Sequence, residues 1–466
     1  MHDQALAELL ALERKNELYR ERVLGYPVWP LTRLNRYTST LTRRQTGFDV
    51  ERVGVGRTLE RFARPVWRSL RQAPSVGEKL RRHDVWLLDA SNHRRRDGDR
   101  TVCIFAEHLR EQYGERLLEV SYDTGGVVDA DSEHVLHIDA LMIGALGAGE
   151  LLARLGADEL VRAPQRERFE VAHAGRLVRA AVYGRAMAAA ARPALRSSRP
   201  KAVFVICGYN FFIPIQREAK QLGIPVIELQ HGIIHESHSG YFFAGDEPPA
   251  HLPDHVVVFG EHFGEIMERG HPYWRGRWSV GGHDWLVRKR RASAQKPRHT
   301  VFLFTQYLSA LREPLREWIR PLRRALPETL SLVVKPHPAE HDAASFYRDV
   351  LGAGVRLASH QEDSYELLNH AVAAASYYST LTIEALAYPS HAVAIESPHW
   401  PADIRRFVEA GFLRRASSPE ELAAIAQQPV ASEGDDDDLA RRLFGIGAPP
   451  LDFKRLVEVV RSTSSG

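Results

Sequence analysis

The amino-acid sequence predicts an α/β protein made of two domains in series, each built around a parallel β-sheet. Short, continuously apolar runs alternate with helical stretches, which is typical of parallel strands covered by helices on both faces. The alternation stops at a polar, basic segment, RKRRASAQKPRH at 288–299, and then begins again. A chain of 466 residues is also too long for one ordinary hydrophobic core.

Residues 1–82 are expected to form a helical, basic extension before the first domain. Basic and aromatic residues are mixed there, as in GYPVWPLTRLNRY and RFARPVWRSLRQ, and positive charge is dense from Arg57 to Arg100. We expect Trp29 and Trp67 to pack inward beneath a solvated basic surface. The alternative is a face that contacts anionic lipid or a phosphorylated acceptor.

The first α/β domain is expected at 83–287. Its apolar runs predict five strands, and PIQREAKQLG between the third and the fourth predicts a helix of about three turns that ends at Gly223. The predicted strands are VWLLD (85–89), TVCIF (101–105), KAVFVIC (201–207), IPVIEL (224–229) and HVVVF (255–259).

The segment at 288–299 is expected to be a linker to the second α/β domain at 300–428, and C-terminal helices are expected at 429–466. We expect helices in this last part of the chain to pack back across both domains, and the acidic run DDDD (435–438) to place favourable charge at a helix N-terminus. The predicted strands of the second domain are TVFLFT (300–305), LSLVVK (330–335), GVRLAS (354–359), VAAAS (372–376) and HAVAIE (391–396).

Composition limits the classes of function. A net charge of +3 at pH 7 argues against a polyanion-binding role for the whole molecule, so nucleic acid is not an expected partner. Two cysteines, Cys103 and Cys207, are too few for a disulfide framework and fit a reducing cytoplasm. The N-terminus differs from a secretory signal, and the most apolar run, LMIGALGAG (141–149), is about half the length that crosses a bilayer. We expect a cytoplasmic protein, and a location at the inner face of the cytoplasmic membrane is left open as an alternative.

Polar residues follow the predicted strands, at the edge of a parallel sheet where ligands bind. Because the edges of two such sheets would face each other across a cleft, these residues are expected to lie close together. They are Gly208, Tyr209, Asn210, Gln230, His231 and Gly232 in the first domain, and Thr305, Gln306, Pro336, His337, Pro338, Tyr378, Ser379 and Thr380 in the second.

Among these candidates, His337 has the most specific sequence signal for a functional role. The sequence Lys335-Pro336-His337-Pro338 brackets one histidine with two prolines at a strand end, which fixes the local backbone. A stiff loop pre-orients a hydrogen-bond donor, as the stabilisation of a departing phosphate requires. A lone histidine is more often structural, but the prolines, the lysine and the strand end together favour a functional one.

The segment YYSTLTIEALAYP (377–389) complements this loop. Ser379 or Thr380 is a good N-cap for a helix that Pro389 ends, and free amides with hydroxyls at a helix start form an anion cradle. Glu384 lies one turn further on and would accept hydrogen bonds from ribose hydroxyls. Alone, this pattern is a common helix start. It becomes evidence for a nucleotide site only because the histidine–proline loop is expected nearby.

These motifs resemble a known class of enzymes. Two Rossmann-like domains, with K-P-H-P (335–338) and S-T-x-x-x-E (379–384) in the second and Q-H-G (230–232) in the first, are similar to GT-B glycosyltransferases. The pattern is similar in particular to bacterial surface-polysaccharide enzymes: the CDP-glycerol glycerophosphotransferases and the capsule-type transferases that use CMP-activated Kdo or sialic acid. The resemblance covers roughly residues 200–400.

The resemblance implies roles for individual residues. His337 would contact the leaving phosphate, Ser379 and Thr380 would bind it, and His231 would face the acceptor as the general base. Gln230 and Ile233 stand where the glycerophosphotransferases have tryptophan and threonine, which weakens the glycerol interpretation. The wider nucleotide-binding set would be Thr305, Gln306, Lys335, Pro338, Ser379, Thr380 and Glu384, and the acceptor-side set Gly208, Tyr209, Asn210, Gln230, Gly232 and His235.

His231 is our expected base because it lies nearest its strand end and because an imidazole titrates near neutral pH. Gly232 would let the backbone turn and leave room for substrate. His235 and His238 would bind acceptor or simply lie on the surface. The spacing H-x3-H-x2-H also allows a zinc site, which we disfavour because no acidic or thiol ligand clusters nearby.

Two other signals are expected to be structural. Asp129-Ala130-Asp131 matches the D-x-D motif of metal-dependent GT-A transferases, but it lies in a polar turn where paired acidic residues are common. Cys207 precedes a glycine at a strand end, yet a free cysteine usually behaves as a small buried hydrophobe. We therefore expect neither a metal nor a cofactor.

The sequence predicts a metal-independent glycosyltransferase with a nucleotide-activated sugar as donor and a surface polysaccharide or glycolipid as acceptor, in capsule-type synthesis. Three alternatives remain open. A CDP-glycerol-type glycerophosphotransferase would use the same loops. A 2-epimerase or hydrolase acting on a nucleotide-sugar would keep the GT-B fold but need carboxylates around the sugar. A non-catalytic scaffold for envelope-polysaccharide assembly would work through the basic N-terminal region.

Overall fold

The computed structural model describes residues 2–44, 65–90, 93–97, 100–122, 133–245, 248–291, 298–306, 309–352, 354–398, 400–430 and 437–464. The D-x-D match at 129–131, most of the predicted linker (292–297) and part of the DDDD run (435–436) lie outside these residues.

Strands in the first part of the described chain form one seven-stranded parallel sheet and two small antiparallel hairpins. In chain order they are β1 (Arg22–Val23), β2 (Tyr26–Pro27), β3 (Val85–Ala90), β4 (Arg94–Asp97), β5 (Arg100–Cys103), β6 (Leu117–Tyr122), β7 (Val135–His137), β8 (Ala202–Ile206), β9 (Val226–Leu229), β10 (His255–Val258) and β11 (Trp278–Val280). The parallel sheet has the order β11-β10-β9-β8-β3-β6-β7, while β1 pairs with β2 and β4 with β5.

The strand prediction for the first domain finds four of the seven strands of the parallel sheet and misses β6, β7 and β11. The run at 101–105 does not join the parallel sheet, because β4 and β5 are separated by two residues and a connection this short allows only an antiparallel pair. Strand β6 was not predicted, because Glu119 interrupts its apolar sequence LLEVSY. Glu119 is nevertheless buried, since it forms ion pairs with Arg94 and Arg110.

The second domain is built on a six-stranded sheet in which all neighbouring strands are parallel. Its order is β14-β13-β12-β15-β16-β17 when the strands are numbered in chain order. These strands are β12 (Thr300–Phe304), β13 (Ser331–Lys335), β14 (Val355–Leu357), β15 (Ala371–Ser376), β16 (His391–Ile395) and β17 (Arg414–Ala416). Five of them lie where the sequence predicts, and the short β17 was missed because Arg414 and Arg415 make it polar.

Helices cover both sheets and form the N-terminal extension. In chain order the helices are α1 (His2–Asn16), α2 (Trp29–Arg44), α3 (described over 65–71), α4 (Val76–Arg82), α5 (Glu107–Tyr113), α6 (Asp139–Leu160), α7 (Ala163–Arg168), α8 (Gly175–Ser198), α9 (Ile213–Gln221), α10 (Glu261–Gly270), α11 (Asp284–Arg291), α12 (Ser309–Ala325), α13 (Ala343–Phe346), α14 (Ser364–Leu368), α15 (Thr380–Glu384), α16 (Ala402–Glu409), α17 (Pro419–Ala426), α18 (Asp437–Phe444) and α19 (Phe453–Ser464).

The last two helices join the domains. Helix α18 packs both on α10 of the first domain and on the turn at 385–387 of the second. The main-chain N–H of His283 donates to the carbonyl of Phe444 at 3.0 Å. A Cβ on Gly260 would lie 2.1 Å from the carbonyl oxygen of Arg442, so this close approach requires glycine. Helix α19 then returns to the first domain, where Phe453 and Val457 enter its core.

The N-terminal helices α1 and α2 are anchored by a buried ion pair. The carboxylate of Glu13 pairs with the guanidinium of Arg33, and both side chains are almost completely buried. Arg33 also donates to the main-chain carbonyls of Ser239 and Phe242, which lie in the loop after β9. The extension therefore fixes the conformation of a first-domain loop.

The two tryptophans of this region behave differently. Trp29 is buried, as predicted, and its indole N–H donates to Glu13 at 2.8 Å. The prediction for Trp67 is wrong, since 65% of this residue is exposed. Trp67 lines a basic groove with Arg68, Arg71 and Lys79.

Helix α6 is more extensive than the apolar run at 141–149 suggests, because helical structure continues to Leu160, with a kink at Gly156. By length and composition alone, it is apolar enough to cross a membrane, and 22% of its most apolar window is buried. Leu151 and Leu155 point to solvent with 60% and 73% of their surface exposed. The helix therefore carries an apolar face that the described chain leaves open.

We expect the substitution Glu13→Ala to lower the free energy of unfolding by about 3–5 kcal/mol, because it leaves the buried Arg33 without its counter-charge. Urea unfolding followed by circular dichroism measures this loss. The matched control is Arg36→Ala, which breaks a more exposed pair with Glu170 and is expected to cost less than about 1 kcal/mol. Equal effects of the two substitutions would contradict the proposed anchoring role.

Candidate functional site

The loop after β9 is held in place by Gln230. Its side-chain N–H donates to the carbonyl of Gly232 at 2.8 Å, and its oxygen accepts from the N–H of Phe259 at 2.7 Å. Gln230 is buried and both ends of its amide are used, so the structure assigns it to loop support and not to acceptor binding. The chain bends at Gly232, but this residue does not adopt a positive φ and a Cβ there would meet nothing within 4 Å, so neither the backbone nor crowding requires glycine at this position.

The turn after β8 brings Tyr209 to the histidines of the β9 loop. Cys207 has a φ of 64°, a left-handed conformation that is strained for a non-glycine residue, and Gly208 is buried directly after it. A Cβ on Gly208 would lie 2.6 Å from the carboxylate of Glu228. Asn210 accepts the N–H of Phe212 at 3.0 Å and so shapes the start of α9.

The hydroxyl of Tyr209 lies between two imidazoles. It is 3.2 Å from Nε2 of His231 and 3.2 Å from Nε2 of His238. The ring of His235 stacks edge-on against that of His238, and its Nδ1 accepts the N–H of Ser237 at 3.2 Å. Within the described chain, no three potential ligands have metal-binding geometry. The phenol of Tyr209 occupies the space between His231 and His238.

Burial changes the acid–base character of His231. Burial, and secondarily the neighbouring His93, lower the pKa of His231 to about 3. The Nδ1 atom is inaccessible and has no hydrogen-bond partner among the described residues. The imidazole is therefore neutral at physiological pH, which makes it a weaker base than the sequence-based expectation assumed.

Sequence reasoning missed the residues that follow β3. Asp89 ends this central strand, is completely buried and lies 2.9 Å from Nδ1 of His93. The ring of His93 is 5.7 Å from the ring of His231, between centroids. Two residues further on, Arg95 is exposed and lies close enough to Lys335 and Glu384 to affect their pKa values. The signal in the sequence was an aspartate at a strand end, followed four residues later by a histidine.

The K-P-H-P loop follows β13 and is organised by Glu340, which the sequence analysis also missed. The carboxylate of Glu340 is buried and accepts the main-chain N–H of His337 at 2.7 Å, as well as the hydroxyl of Thr305. The hydroxyl of Tyr347 and the guanidinium of Arg312 bind its other oxygen. The bonds to Glu340 therefore fix the main chain of the loop on its buried side, while Pro338 in the same loop is exposed.

His337 is half-buried, and its tautomer follows from its contacts. The N–H of Ala339 donates to Nδ1 of His337 at 3.1 Å, so in the neutral ring the proton resides on Nε2. Burial lowers the pKa of His337. The neutral ring therefore carries a donor at Nε2, as the sequence-based expectation of a donor at this loop requires.

Lys335, at the end of β13, is held by main-chain carbonyls of the second domain. Its ammonium donates to the main-chain carbonyls of Ser359 and Glu362, and it is buried. Burial lowers the pKa of Lys335 to about 8, and the positive charge of Arg95 acts in the same direction. Lys335 therefore ties β13 to the loop after β14 and does not reach outward to a phosphate. Gln306, which follows β12, is also buried.

Ser379 caps α15, as predicted, by accepting the N–H of Leu381. Its own N–H donates to the hydroxyl of Ser376 at 2.8 Å, and Thr380 is exposed at the helix start. Glu384 at the other end is buried and hydrogen-bonded to Tyr365. Burial raises the pKa of Glu384 to about 7, against the opposing effects of the Tyr365 hydroxyl and Arg95.

A continuous set of ring contacts links the two sets of strand ends. The ring of Phe105 lies 5.7 Å from that of His93 and 5.4 Å from that of His283. The hydroxyl of Tyr365, in the second domain, lies 3.3 Å from Nε2 of His283. Arg95, a first-domain cation, lies near the second-domain site, since its charge influences Lys335 and Glu384. The two groups of polar residues therefore share one interdomain region.

No known family model matches the chain, and no curated protein matches its sequence. Solved structures do resemble it. UDP-GlcNAc 2-epimerase from Neisseria meningitidis, bound to UDP-GlcNAc, has 12% identity and a TM-score of 0.41 over 81% of this chain and 98% of the other. A putative UDP-N-acetylglucosamine 2-epimerase from Listeria monocytogenes has 11% identity and a TM-score of 0.49, over 78% of this chain and 92% of the other. MurG from Acinetobacter baumannii has 14% identity and a TM-score of 0.38, over 82% of this chain and 99% of the other.

The architecture is the predicted two-domain α/β arrangement. Two domains with parallel sheets bring their strand ends to a common region, between a helical N-terminal extension and C-terminal helices that cross both domains. This confirms the predicted fold class. The similarities to solved structures, at 11–14% identity for the three named above, concern the fold alone.

We expect the stability of the protein to depend on pH through Glu384. Because the pKa rises from its ordinary value of 4.5 to about 7 on folding, the native state binds this proton more tightly than the unfolded chain. The resulting stabilisation is present below about pH 4.5 and is lost as the pH rises to about 7. Glu384→Gln should therefore gain about 3 kcal/mol relative to the wild type between pH 4.5 and pH 8.

Urea unfolding of both proteins at several pH values measures this difference. Glu328→Gln, which changes an exposed carboxylate of the same domain, is the control and should show no such trend. A constant difference between Glu384→Gln and the wild type over the whole range would show that Glu384 is not a carboxyl buried in its protonated form.

Proposed function

We propose that the protein is a glycosyltransferase that moves a sugar from a nucleotide-activated donor to a surface-polysaccharide or glycolipid acceptor. The observation that carries this proposal is the arrangement of the second domain, where β13 and β15 flank β12 and end in the histidine–proline loop and the capped helix. Both features supply hydrogen-bond donors at neighbouring strand ends. The first domain contributes a cluster of imidazoles to the same region.

The donor-side chemistry follows from these groups. As the bond between the anomeric carbon and the phosphate oxygen breaks, negative charge develops on the departing nucleotide. The Nε2–H of His337 and the hydroxyls of Ser379 and Thr380 would donate hydrogen bonds to this phosphate. His337 is fixed through Glu340, so little reorganisation is needed during the reaction. This scheme uses neutral donors and needs neither a metal nor a cofactor.

A second candidate, an epimerase or hydrolase that acts on a nucleotide-sugar, is favoured by the buried carboxyl groups. Burial raises the pKa of Glu384 and that of Glu228 to about 7, which is suited to proton transfer at neutral pH. Incubation with donor alone separates the candidates, because an epimerase needs no acceptor. A glycerophosphotransferase would instead transfer the phosphorus of its donor, which a ³²P label detects.

Nucleotide binding is the first test. Thermal-shift screening with CMP, CDP, UDP and GDP should raise the melting temperature with at least one of them, by the equivalent of about 2.7 kcal/mol at 100 times Kd. His337→Gln and Ser379→Ala should each lose most of this shift. The matched control is His341→Gln, an exposed histidine four residues away, which should keep it.

If none of these nucleotides stabilises the protein, the proposed function fails. If they bind but His337→Gln and Ser379→Ala bind equally well, the assignment of the donor site to the second domain is wrong. A scaffold role would be supported if envelope-polysaccharide assembly in the host cell survived His337→Ala but not charge reversal of Arg68 and Arg71.

We further propose that the protein works at the inner face of the cytoplasmic membrane, which would give access to a lipid-linked acceptor. The apolar face of α6 at Leu151 and Leu155, and the exposed Trp67 beside Arg68 and Arg71, match the pattern of surfaces that bind anionic bilayers.

Co-sedimentation with vesicles of phosphatidylcholine and phosphatidylglycerol tests this membrane contact. The wild type should sediment with anionic vesicles, and the double substitution Leu151→Glu and Leu155→Glu should abolish sedimentation. Val459→Glu, a change at an exposed apolar residue of α19, is the control. Failure of the wild type to sediment, or its self-association through α6 in the absence of vesicles, would contradict the proposal.

A further inference from the structure

We infer that Glu228 holds a proton that it shares with Gln216, and that this proton fixes the turn that places Tyr209 between two histidines. Loss of the proton at higher pH releases the turn. The inference goes beyond the proposed function and does not depend on it, because it concerns the conformation of the first domain and not the reaction.

Glu228 lies inside the first sheet, where a ligand has no access to it. It belongs to β9, only 1% of its surface is exposed, and its neighbours on the adjoining strands are Val205 and Val256. Within the described chain, no lysine, arginine or histidine lies within ion-pair distance of its carboxyl group. A buried carboxylate without a cation is costly, so the neutral form is favoured. Burial accordingly raises the pKa of Glu228 to about 7, against the opposing hydrogen bonds from the N–H of Gly208 and the hydroxyl of Tyr241.

Gln216, on α9, supplies an acceptor that lacks a donor. Its side-chain N–H donates to the carbonyl of Gly208 at 2.8 Å, which fixes the orientation of the amide. The side chain is completely buried, and its oxygen has no hydrogen-bond partner among the described residues. Buried acceptors are almost always paired in native proteins, because an unpaired one loses its bonds to water without compensation.

The two oxygens face the same space beside Gly208. A Cβ built on Gly208 would lie 2.6 Å from Oε2 of Glu228 and 3.3 Å from Oε1 of Gln216. The other carboxyl oxygen, Oε1 of Glu228, already accepts the hydroxyl of Tyr241 at 2.9 Å. A proton on Oε2 gives Gln216 its missing donor, whereas a carboxylate would set one acceptor against another. The proton therefore resides on Oε2.

The turn after β8 depends on this proton because Gly208 is bonded to both partners. Its carbonyl accepts from Gln216, and its N–H donates to Glu228. Tyr209 follows directly, and its hydroxyl lies 3.2 Å from each of two imidazoles of the β9 loop. Ionisation of Glu228 would place an uncompensated charge against the Gln216 oxygen at this point. Movement of the turn, and of Tyr209 with it, relieves that repulsion.

The other titratable groups around this carboxyl group stay neutral near pH 7. Burial raises the pKa of the thiol and of both hydroxyls, and burial lowers the pKa of the imidazole. These groups are Cys207 and Tyr209 after β8, Tyr241 in the loop after β9, and His238, whose ring lies 5.0 Å from that of Tyr241. Glu228 is therefore the group whose titration changes the charge at the turn.

Infrared spectroscopy of the full chain tests the proton directly. A protonated carboxyl group has a carbonyl stretch above the amide I band, and a carboxylate does not. We expect such a band that is lost in Glu228→Gln and that fades as the pH rises through about 7. Tyr241→Phe removes a donor to the ionised form and should move the midpoint to higher pH. Gln216→Met removes the acceptor of the proton and should move the midpoint to lower pH.

The matched control is Glu218→Gln, on the same helix as Gln216. Its buried carboxylate pairs with Arg192 at 2.9 Å, so it carries no proton to lose. The band assigned to Glu228 should keep its intensity and its midpoint in this variant.

Hydrogen–deuterium exchange reports the turn itself. Glu228→Gln carries an amide N–H in place of the carboxyl proton, so it keeps the bond to Gln216 at every pH. Peptides that cover 207–216 and 237–243 should exchange at similar rates in the two proteins near pH 4.5, the ordinary pKa of a glutamate. The wild type should exchange about 10²-fold faster than Glu228→Gln at about pH 8, because the pKa of about 7 applies only while the turn is closed.

Two results would overturn the inference. One is the absence of a carboxyl band that Glu228→Gln removes, which would show that Glu228 is ionised. The other is a ratio of exchange rates that does not change with pH, which would show that the proton does not hold the turn. If Glu228→Gln does not fold, the shifts of the band in Tyr241→Phe and Gln216→Met decide the question, and equal shifts or none overturn the inference. Nucleotide binding tests the proposed function separately.

Discussion

The contact between Tyr365 and His283 sets the relation between the two domains on which the site depends. The tyrosine hydroxyl of the second domain lies 3.3 Å from the imidazole of the first, and the indole of Trp285 donates to Asp363 at 3.0 Å beside it. Parallel strands already gather their polar ends at one edge of each sheet. These interdomain bonds, at the point where the chain leaves the first domain, bring the two edges together, so that residues some 100 positions or more apart in sequence share one region.

The loop after β9, which carries the histidines, is supported from outside the sheet. Arg33 of the N-terminal extension holds the carbonyls of the loop that carries the histidines, and Glu13 compensates its buried charge. The hydroxyl of Tyr37 donates to the carbonyl of Ser237 in the same loop at 2.9 Å. The extension is therefore part of the site's construction. In the second domain, Glu340 has the same function, since it binds the main chain of the histidine–proline loop.

Sequence patterns predicted the two-sheet fold because apolar strands and strand-end polar residues are local features. Strand β6 escaped prediction because its Glu119 is neutralised by Arg94 and Arg110, partners that only the folded chain reveals. Lys335 was expected to bind phosphate, yet the loop after β14 supplies carbonyls that capture its ammonium. His93 was missed because strand order is not readable from the sequence. Strand β3 lies inside the sheet, directly beside β8 and one strand from β9, although more than 100 residues separate it from either of them in the chain.

Hydrogen–deuterium exchange with and without the most stabilising nucleotide tests most directly whether the shared interdomain region is the ligand site. The account predicts slower exchange in peptides that cover 305–306, 335–340 and 376–384, with smaller protection at 89–95. Protection confined to the basic groove at 67–83, or spread evenly over the chain, would contradict it.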